Sequence, residues 1–324
     1  MLKLRKKSFV FDDPTPVPEC HASTLLKLEG ESLLAAWFAG TKEADADTSI
    51  WVSRYEGGTW SVPRSVTPET GIQHWNPVLF QRNDGTILLF YKIGYPISDW
   101  QTRVLSSQDG GQTWSAPREM VPGDRSGGRG PVKNKLIRLS NGRILAPGSV
   151  EHLPWRCFID ASDDEGCSWS KRPIAVCAPQ ENSIHLIQPT LWEHPAGHVH
   201  ALMRSNQGRI FRSDSEDFGD TWAPARPTNL PNNNSGIDCV RMDSGTIVLA
   251  YNPVGENWGV RYPLSISASF DGGTSFEKVL DIETEPCPNG YCYPAIIADR
   301  TTIHMTYTWN RRKIAYCMLE EIPG

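Results

Sequence analysis

Amide, cationic and aromatic side chains recur in this sequence at the ends of apolar runs, a set suited to a hydroxylated, anionic ligand. Tyr91-Lys92 and Ser149-Val150-Glu151 close two such runs. Lys133 and Asn134 follow the glycine-flanked segment Gly128-Arg129-Gly130-Pro131, which has enough freedom to bring its backbone close to an anion. Asn232-Asn233-Asn234-Ser235-Gly236-Ile237-Asp238 and Trp309-Asn310-Arg311-Arg312 add amides, an acid, guanidiniums and a ring. Amides match hydroxyls, cations match charge, and an aromatic ring covers a sugar face. Asn-rich stretches are also good turns, so 232–238 reads either way. Other chemistries lack their residues. No His/Cys/Asp cluster has zinc spacing, and there is no nucleophile elbow or Gly-x-Gly-x-x-Gly. The segment at 128–135 has neither the spacing nor the following helix of a phosphate loop.

A net charge of −5 excludes a generally basic nucleic-acid surface, though not a local basic pocket. No apolar run approaches the roughly 18 residues of a membrane span. The start, Met1-Leu2-Lys3-Leu4-Arg5-Lys6-Lys7, is charged with no apolar run behind it, so no signal peptide is expected. The expectation is a cytoplasmic protein without cofactor, metal, nucleic-acid or membrane partner, its eight cysteines reduced. One pair, Cys287 and Cys292, flanks a Pro-Asn-Gly turn and could bridge a hairpin. Oligomeric state is not readable.

The elements that position these groups follow from a repeat. Ser107-Gln108-Asp109-Gly110-Gly111-Gln112-Thr113-Trp114 has a Ser and an Asp to bond turn amides, glycines for positive φ, and an aromatic to plug into a sheet. It recurs at 162–169, 215–222 and 269–276, with an eroded copy at 53–60. The closing aromatics fall at 60, 114, 169, 222 and 276, spacings of 54, 55, 53 and 54. Between them, Gly30, Gly85, Gly142, Gly197, Gly245 and the pair Arg300-Thr301 each precede a β-rich run. Six units of about four short strands make an all-β, six-bladed β-propeller of four-stranded antiparallel blades, spanning 1–324 as one domain. A solenoid fits less well, because neither end has a polar cap. Ser8-Phe9-Val10-Phe11 is expected to supply the outer strand of the last blade. Nine residues before each hairpin glycine the inner strands begin, at His21, Asn76, Lys133, Gln188 and Gly236, and beside Tyr291 to Tyr293 in the sixth unit. These positions face the axis and are polar.

The Ser-x-Asp-x-Gly-x-Thr-Trp turns resemble the Asp-box repeats of the sialidase (neuraminidase) superfamily, whose catalytic domains are six-bladed propellers. The resemblance covers all six units and implies that the boxes are scaffolding. It also implies a carboxylate gripped by three arginines, for which a guanidinium fork is the matching shape. Arg204, after the fourth hairpin, resembles the family's second arginine, and Arg261, ahead of the fifth box, the third. Where the family opens blade one with an Arg-Ile-Pro type motif, this chain has Cys20-His21-Ala22-Ser23-Thr24-Leu25. His21 therefore takes the first slot, with a charge that depends on pH.

The family nucleophile, a tyrosine opening the last blade, has two counterparts in Tyr291 and Tyr293, the latter better spaced to the apolar strand that follows. The family's Glu that serves this tyrosine is Gln188 here, and Gln accepts no proton; Glu151 and Asp238 are the candidate substitutes. The acid on a blade-one loop is matched by Glu43 or Asp47. The implied activity is exo-hydrolysis of a terminal acidic sugar, sialic acid or a related carboxylated sugar, with an acidic carbohydrate as partner. Two alternatives stand beside it. One is a uronate-directed lyase, with Tyr293 or His21 removing the proton and Lys133 or Arg204 stabilising the enolate. The other is a non-catalytic sugar-binding propeller. His21, Arg204, Arg261, Gln188, Lys133, Asn134, Asn76, Lys92 and Arg311 are the expected substrate-binding set.

Overall fold

The computed structural model describes residues 2–12, 17–68, 71–126, 128–177 and 183–322. Among these, strands form six antiparallel sheets and helix is nearly absent. The inner strands are Glu19–Lys27, His74–Gln81, Ile137–Arg138, Leu186–Glu193, Asp238–Arg241 and Tyr291–Asp299. Each pairs outward with a buried second strand, such as Leu33–Gly40 or Val199–Ser205, then with a third and a short fourth. The inner strands of blades one and two, four and five, and five and six touch, and the second strand of blade three meets the inner strand of blade four. The inner strands of blades one and six also meet, which closes the ring. The core lies between blades, where apolar faces such as Leu34, Ala36 and Phe38 of blade one meet Leu79, Leu89 and Leu105 of blade two.

The sixth blade takes its outer strand from the N-terminus, but from Leu2–Phe9 rather than from 8–11. Leu2 and Leu4 alternate with exposed Lys3 and Arg5, a half-buried pattern that the positive charges obscure in the sequence. Val10 continues the latch by donating to Ile314 O at 2.8 Å. The Cys287–Cys292 pairing does not occur; both thiols are free, and Arg261 Nη1 donates to Cys292 Sγ at 3.2 Å.

The boxes are closed fasteners. Ser107 Oγ donates to Asp109 Oδ1 at 2.7 Å and accepts from Gly111 N at 2.9 Å. Asp109 in turn accepts from the amides of Gln112 and Thr113 and from the Thr113 hydroxyl. The copies at 162–168, 215–221 and 269–275 repeat this pattern. Gly111 has φ 86°, and a Cβ there would lie 2.8 Å from Leu34 of the preceding blade. Gly219 meets Leu145 of its preceding blade in the same way. Glycine thus satisfies a left-handed turn and a close blade-to-blade approach at once.

The opposite strand ends carry a second repeat. One non-glycine residue per blade sits in the left-handed region at the head of the inner strand: Ala22, Asn76, Lys133, Gln188, Asn234 and Tyr293, with φ between 42° and 68°. In four blades the ladder slips there, between His21 and Thr24, Trp75 and Val78, Ile187 and Thr190, and Cys292 and Ala295. Such a bulge redirects side chains that an unbroken strand would alternate.

At the axis, Lys133 and Asn134 act as braces, not as the ligand groups expected. The fully buried Lys133 Nζ donates to Asn134 Oδ1 at 2.8 Å, to Ile237 O of blade five at 2.7 Å and to Pro294 O of blade six. All three ammonium protons are used. Asn134 Nδ2 donates to Gln188 O and Pro189 O of blade four. Lys92 is likewise enclosed, donating to Thr102 Oγ1 at 2.7 Å and to Arg129 O. Burial lowers both lysines to about 7. Asn76 is a buried bulge residue of blade two. Replacing Lys133 with Met leaves three buried acceptors unpaired and should lower stability by about 2–4 kcal/mol, read from urea unfolding.

His74 and His304 are also kept neutral by burial, at about 4, and hydrogen-bond Thr67 Oγ1 and Tyr316 Oη. Their folded values lie below the ordinary 6.5, so the unfolded chain binds more protons in the interval between. Their contribution is therefore complete above about pH 6.5 and is lost as pH falls through about 4. Unfolding free energies from urea titrations at pH 7 and pH 4.5 should differ by roughly 1–2 kcal/mol per histidine, and His304→Gln should flatten the profile.

Candidate functional site

Tyr293 occupies the blade-six bulge, and four basic side chains surround its ring. The His21 ring lies 4.1 Å from it between centroids, Arg204 Cζ 5.6 Å, Arg261 Cζ 5.7 Å and Lys133 Nζ 6.0 Å. Gly236 makes room on the remaining side, since a Cβ there would stand 3.1 Å from both Tyr293 Cγ and Lys133 Cε. Tyr291, two residues earlier, packs into the apolar cluster between blades five and six beside Trp309, and burial raises its phenol to about 12. The one-residue bulge separates the two: Tyr293 belongs to the site and Tyr291 to the core.

Arg204 ends the second strand of blade four and is 2% exposed. Its Nη1 donates to Tyr293 Oη at 2.7 Å and to Gln188 Oε1 at 3.1 Å, and its Nε to Asn234 Oδ1 at 3.0 Å. All three acceptors are neutral. Beyond Gln188, whose Nε2 donates to Glu151 Oε1 at 3.4 Å, the Glu151 carboxyl also accepts from Ser149 Oγ. Burial raises Glu151 above the carboxylate range against the pull of Arg204 and Lys92. Glu151 thus reaches Tyr293 only through Gln188 and Arg204.

Arg261 lies on the loop between the second and third strands of blade five. The Asn-rich turn fixes that loop: Asn233 Nδ2 donates to Val260 O at 2.6 Å, Trp258 N to Asn233 O, and Asn234 Nδ2 to Asn257 Oδ1. Tyr291 N donates to Arg261 O at 2.8 Å, and Gly290 has no room for a Cβ against Arg261. Burial would lower Arg261, but Cys292, Tyr293 and Glu43 outweigh it and hold the guanidinium firmly charged. Arg261 and Arg311 line one cleft of about 730 Å³, together with Trp258, Tyr262 and Pro288. Arg311 pairs with Glu43 Oε2 at 2.6 Å.

Three expected site residues are engaged elsewhere. His21 Nδ1 shares a hydrogen bond with Thr308 Oγ1 at 2.8 Å and its Nε2 is unpartnered. Burial, reinforced by Arg311, Arg261, Arg204 and Lys133, keeps the ring neutral, so His21 supplies no charge to a carboxylate. Asp238 has both oxygens occupied, Oδ1 by Lys135, Thr190 and its neighbour Cys239 N, and Oδ2 by Ile296 N; it ties blades three to six together. Asp47 closes its own loop by accepting from the Thr41 amide and hydroxyl. Of the two blade-one acids, Glu43 is the one that meets a residue of the cleft, through its ion pair with Arg311.

The sequence reading missed an aromatic wall. Trp258, 61% exposed, stands 6.0 Å from Arg204 Cζ and edge-on to Trp155, which packs against His185. The Asn257-Trp258-Gly259 step just ahead of Arg261 was the available signal.

The family comparison matches residues 31–305 to a BNR repeat-like domain. The fold is similar to a crystal structure of a protein of unknown function from Dyadobacter fermentans (TM-score 0.80, 18% identity, 99% of each chain). It is also similar to the Hadza microbial sialidase Hz136 (0.75, 19%, 93% of this chain and 65% of that one). A K499G mutant of the NanB sialidase of Streptococcus pneumoniae matches as well (0.75, 14%, 96% and 70%). At these identities the structural likeness concerns the fold. With 31–305 matched, six four-stranded blades and four intact Asp-box turns, the chain belongs to the BNR repeat-like family and has the sialidase-like propeller fold.

Proposed function

We propose that the protein is an exo-acting glycosidase of a terminal carboxylated sugar, bound with its carboxylate at Arg204 and Arg261 above Tyr293. The observation that carries this reading is an uncompensated charge. Among the described residues no carboxylate pairs with Arg204 or Arg261; their polar partners are a phenol, two amides and a thiol. A buried cation without a counter-ion is unfavourable, and an anionic ligand supplies what is missing. The exposed Trp258 and the cleft it lines offer an apolar wall for a sugar face.

In this reading Tyr293 gives its phenolic proton to solvent water as its oxygen attacks the anomeric carbon and the bond to the departing glycosidic oxygen breaks. The Arg204 N–H already aimed at Tyr293 Oη steadies the developing charge. Glu43, paired with the cleft-lining Arg311, takes a proton from solvent and passes it to the departing glycosidic oxygen. Water then attacks the anomeric carbon, leaves its proton on Glu43 and releases the sugar from the tyrosine. The sialidase fold supports the reaction type, and the chain's own residues support the role assignments.

One observation favours a second reading. The Tyr293 hydroxyl bonds Arg204 rather than a carboxylate, and a neutral imidazole lies beside the ring. That arrangement also suits removal of the proton next to a uronate carboxylate, with the leaving oxygen expelled from the adjacent carbon. Purified protein should be assayed against sialosides, glycosides of 3-deoxy-2-keto sugar acids and glucuronides. A free reducing sugar is expected, with Tyr293→Phe at least about 100-fold slower. An ultraviolet-absorbing unsaturated product identifies the lyase, and saturable binding without turnover identifies a binding propeller.

A further inference from the structure

A separate cavity of about 340 Å³ opens between the outer strands of blade two and the loop leading to blade three. It lies at the same end of the propeller as Tyr293. Lys92 in blade two and Arg204 in blade four hold equivalent places, each paired with the residue just ahead of a left-handed one. Trp100 follows Lys92 in the loop to the next strand. Rings in contact lead from Tyr293 through His21, Phe38 and Trp75 to Trp100, at centroid spacings of 4.1, 5.6, 5.8 and 6.3 Å. Trp100 is 3% exposed, and its Nε1 has no partner among the described residues. The indole N–H faces Gly128, another wall of the cavity, where a Cβ would stand 3.9 Å from it. A buried indole N–H ordinarily finds an acceptor, and leaving one unmet is costly.

We infer that this cavity is a second binding site, distinct from the axial one, and that it takes a neutral sugar unit whose oxygen accepts the Trp100 N–H. Charge decides the class of ligand. The walls carry three arginines and three carboxylates, a balance that the axial pocket lacks. Arg103 Nη1 meets Glu119 Oε1 at 3.0 Å, and Arg129 Nη1 meets Asp124 Oδ2 at 3.1 Å. Arg129 gives its other nitrogens to the buried Asp160. Such paired walls have no charge left for an ion to answer. They present fixed donors beside fixed acceptors, which suits hydroxyls, since each hydroxyl both donates and accepts. The side chains of Asp99 and Gln101, also in the lining, have no partner among the described residues and can meet further hydroxyls. The volume falls at the small end of the roughly 300–1,000 Å³ usual for ligand pockets, room for one sugar unit rather than a chain. The inference does not depend on the reaction proposed for the axis.

The test is ligand-observed NMR titration of the intact protein with the methyl glycosides of glucose, galactose and mannose. Alanine and acetate serve as zwitterionic and anionic controls, and circular dichroism checks folding. At least one glycoside should bind saturably, and neither control should. Trp100→Phe, which keeps a ring and loses the N–H, should weaken that glycoside about 5-fold or more. Asp99→Ala, at an exposed position, should weaken it too, and it decides the matter where Trp100→Phe does not fold. Arg204→Met should leave glycoside binding unchanged, so a failure of the axial reading leaves this site standing. If no glycoside binds, if a control binds as well, or if a folded Trp100→Phe matches the unaltered protein, the inference fails.

Discussion

The left-handed step at the head of each inner strand is the constraint on which the axial site depends. A non-glycine residue there carries about 1–2 kcal/mol of strain, and the chain does it six times. What sustains it is the packing around it: Asp-box turns at the opposite end of four blades and apolar packing between blades hold the strands in place. Without the slip, Tyr291 and Tyr293 would share one face of the strand. With it, one is core and the other stands among four basic groups.

Charge follows from the same geometry. The left-handed residues at the inner-strand heads of blades four, five and six place Gln188, Asn234 and Tyr293 around Arg204, so its buried donors meet neutral oxygens. Lys133 is equally buried, but its three acceptors enclose it. Both meet only neutral acceptors; the difference is that Lys133 has all three protons taken, whereas among the described residues no hydrogen bond is made by Arg204 Nη2.

The blades were legible because their signals are local. A box turn needs its Ser, Asp, Gly and aromatic in fixed order, and a period near 54 residues shows through any divergence between copies. The site was legible in part. The spacing rule found the heads of the inner strands within two residues, because the ring repeats its geometry even where it does not repeat its side chains. It could not tell that Lys133 and Asp238 face one another's blades as braces, since that depends on contacts 58 to 161 residues away in sequence. Nor does a sequence show burial, which is what turns His21 from a prospective cation into a neutral ring.

The two departures from the sialidase pattern then explain each other. A His at the first arginine slot, held neutral, removes one positive charge; a Gln at the Glu slot removes one negative charge. The sum over the pocket is unchanged, and its distribution is not. With Gln188 bonded to Arg204, that guanidinium keeps its charge for a ligand and reaches Tyr293 Oη directly, a position in which a Glu would have drawn it into an ion pair. The carboxylates that remain nearby are Glu151, raised by burial behind Gln188, and Glu43, paired with Arg311. In the proposed reading, the positive charge gathered around Tyr293 by Arg204 and Arg261 is the polarity that attack at a carboxylated sugar requires.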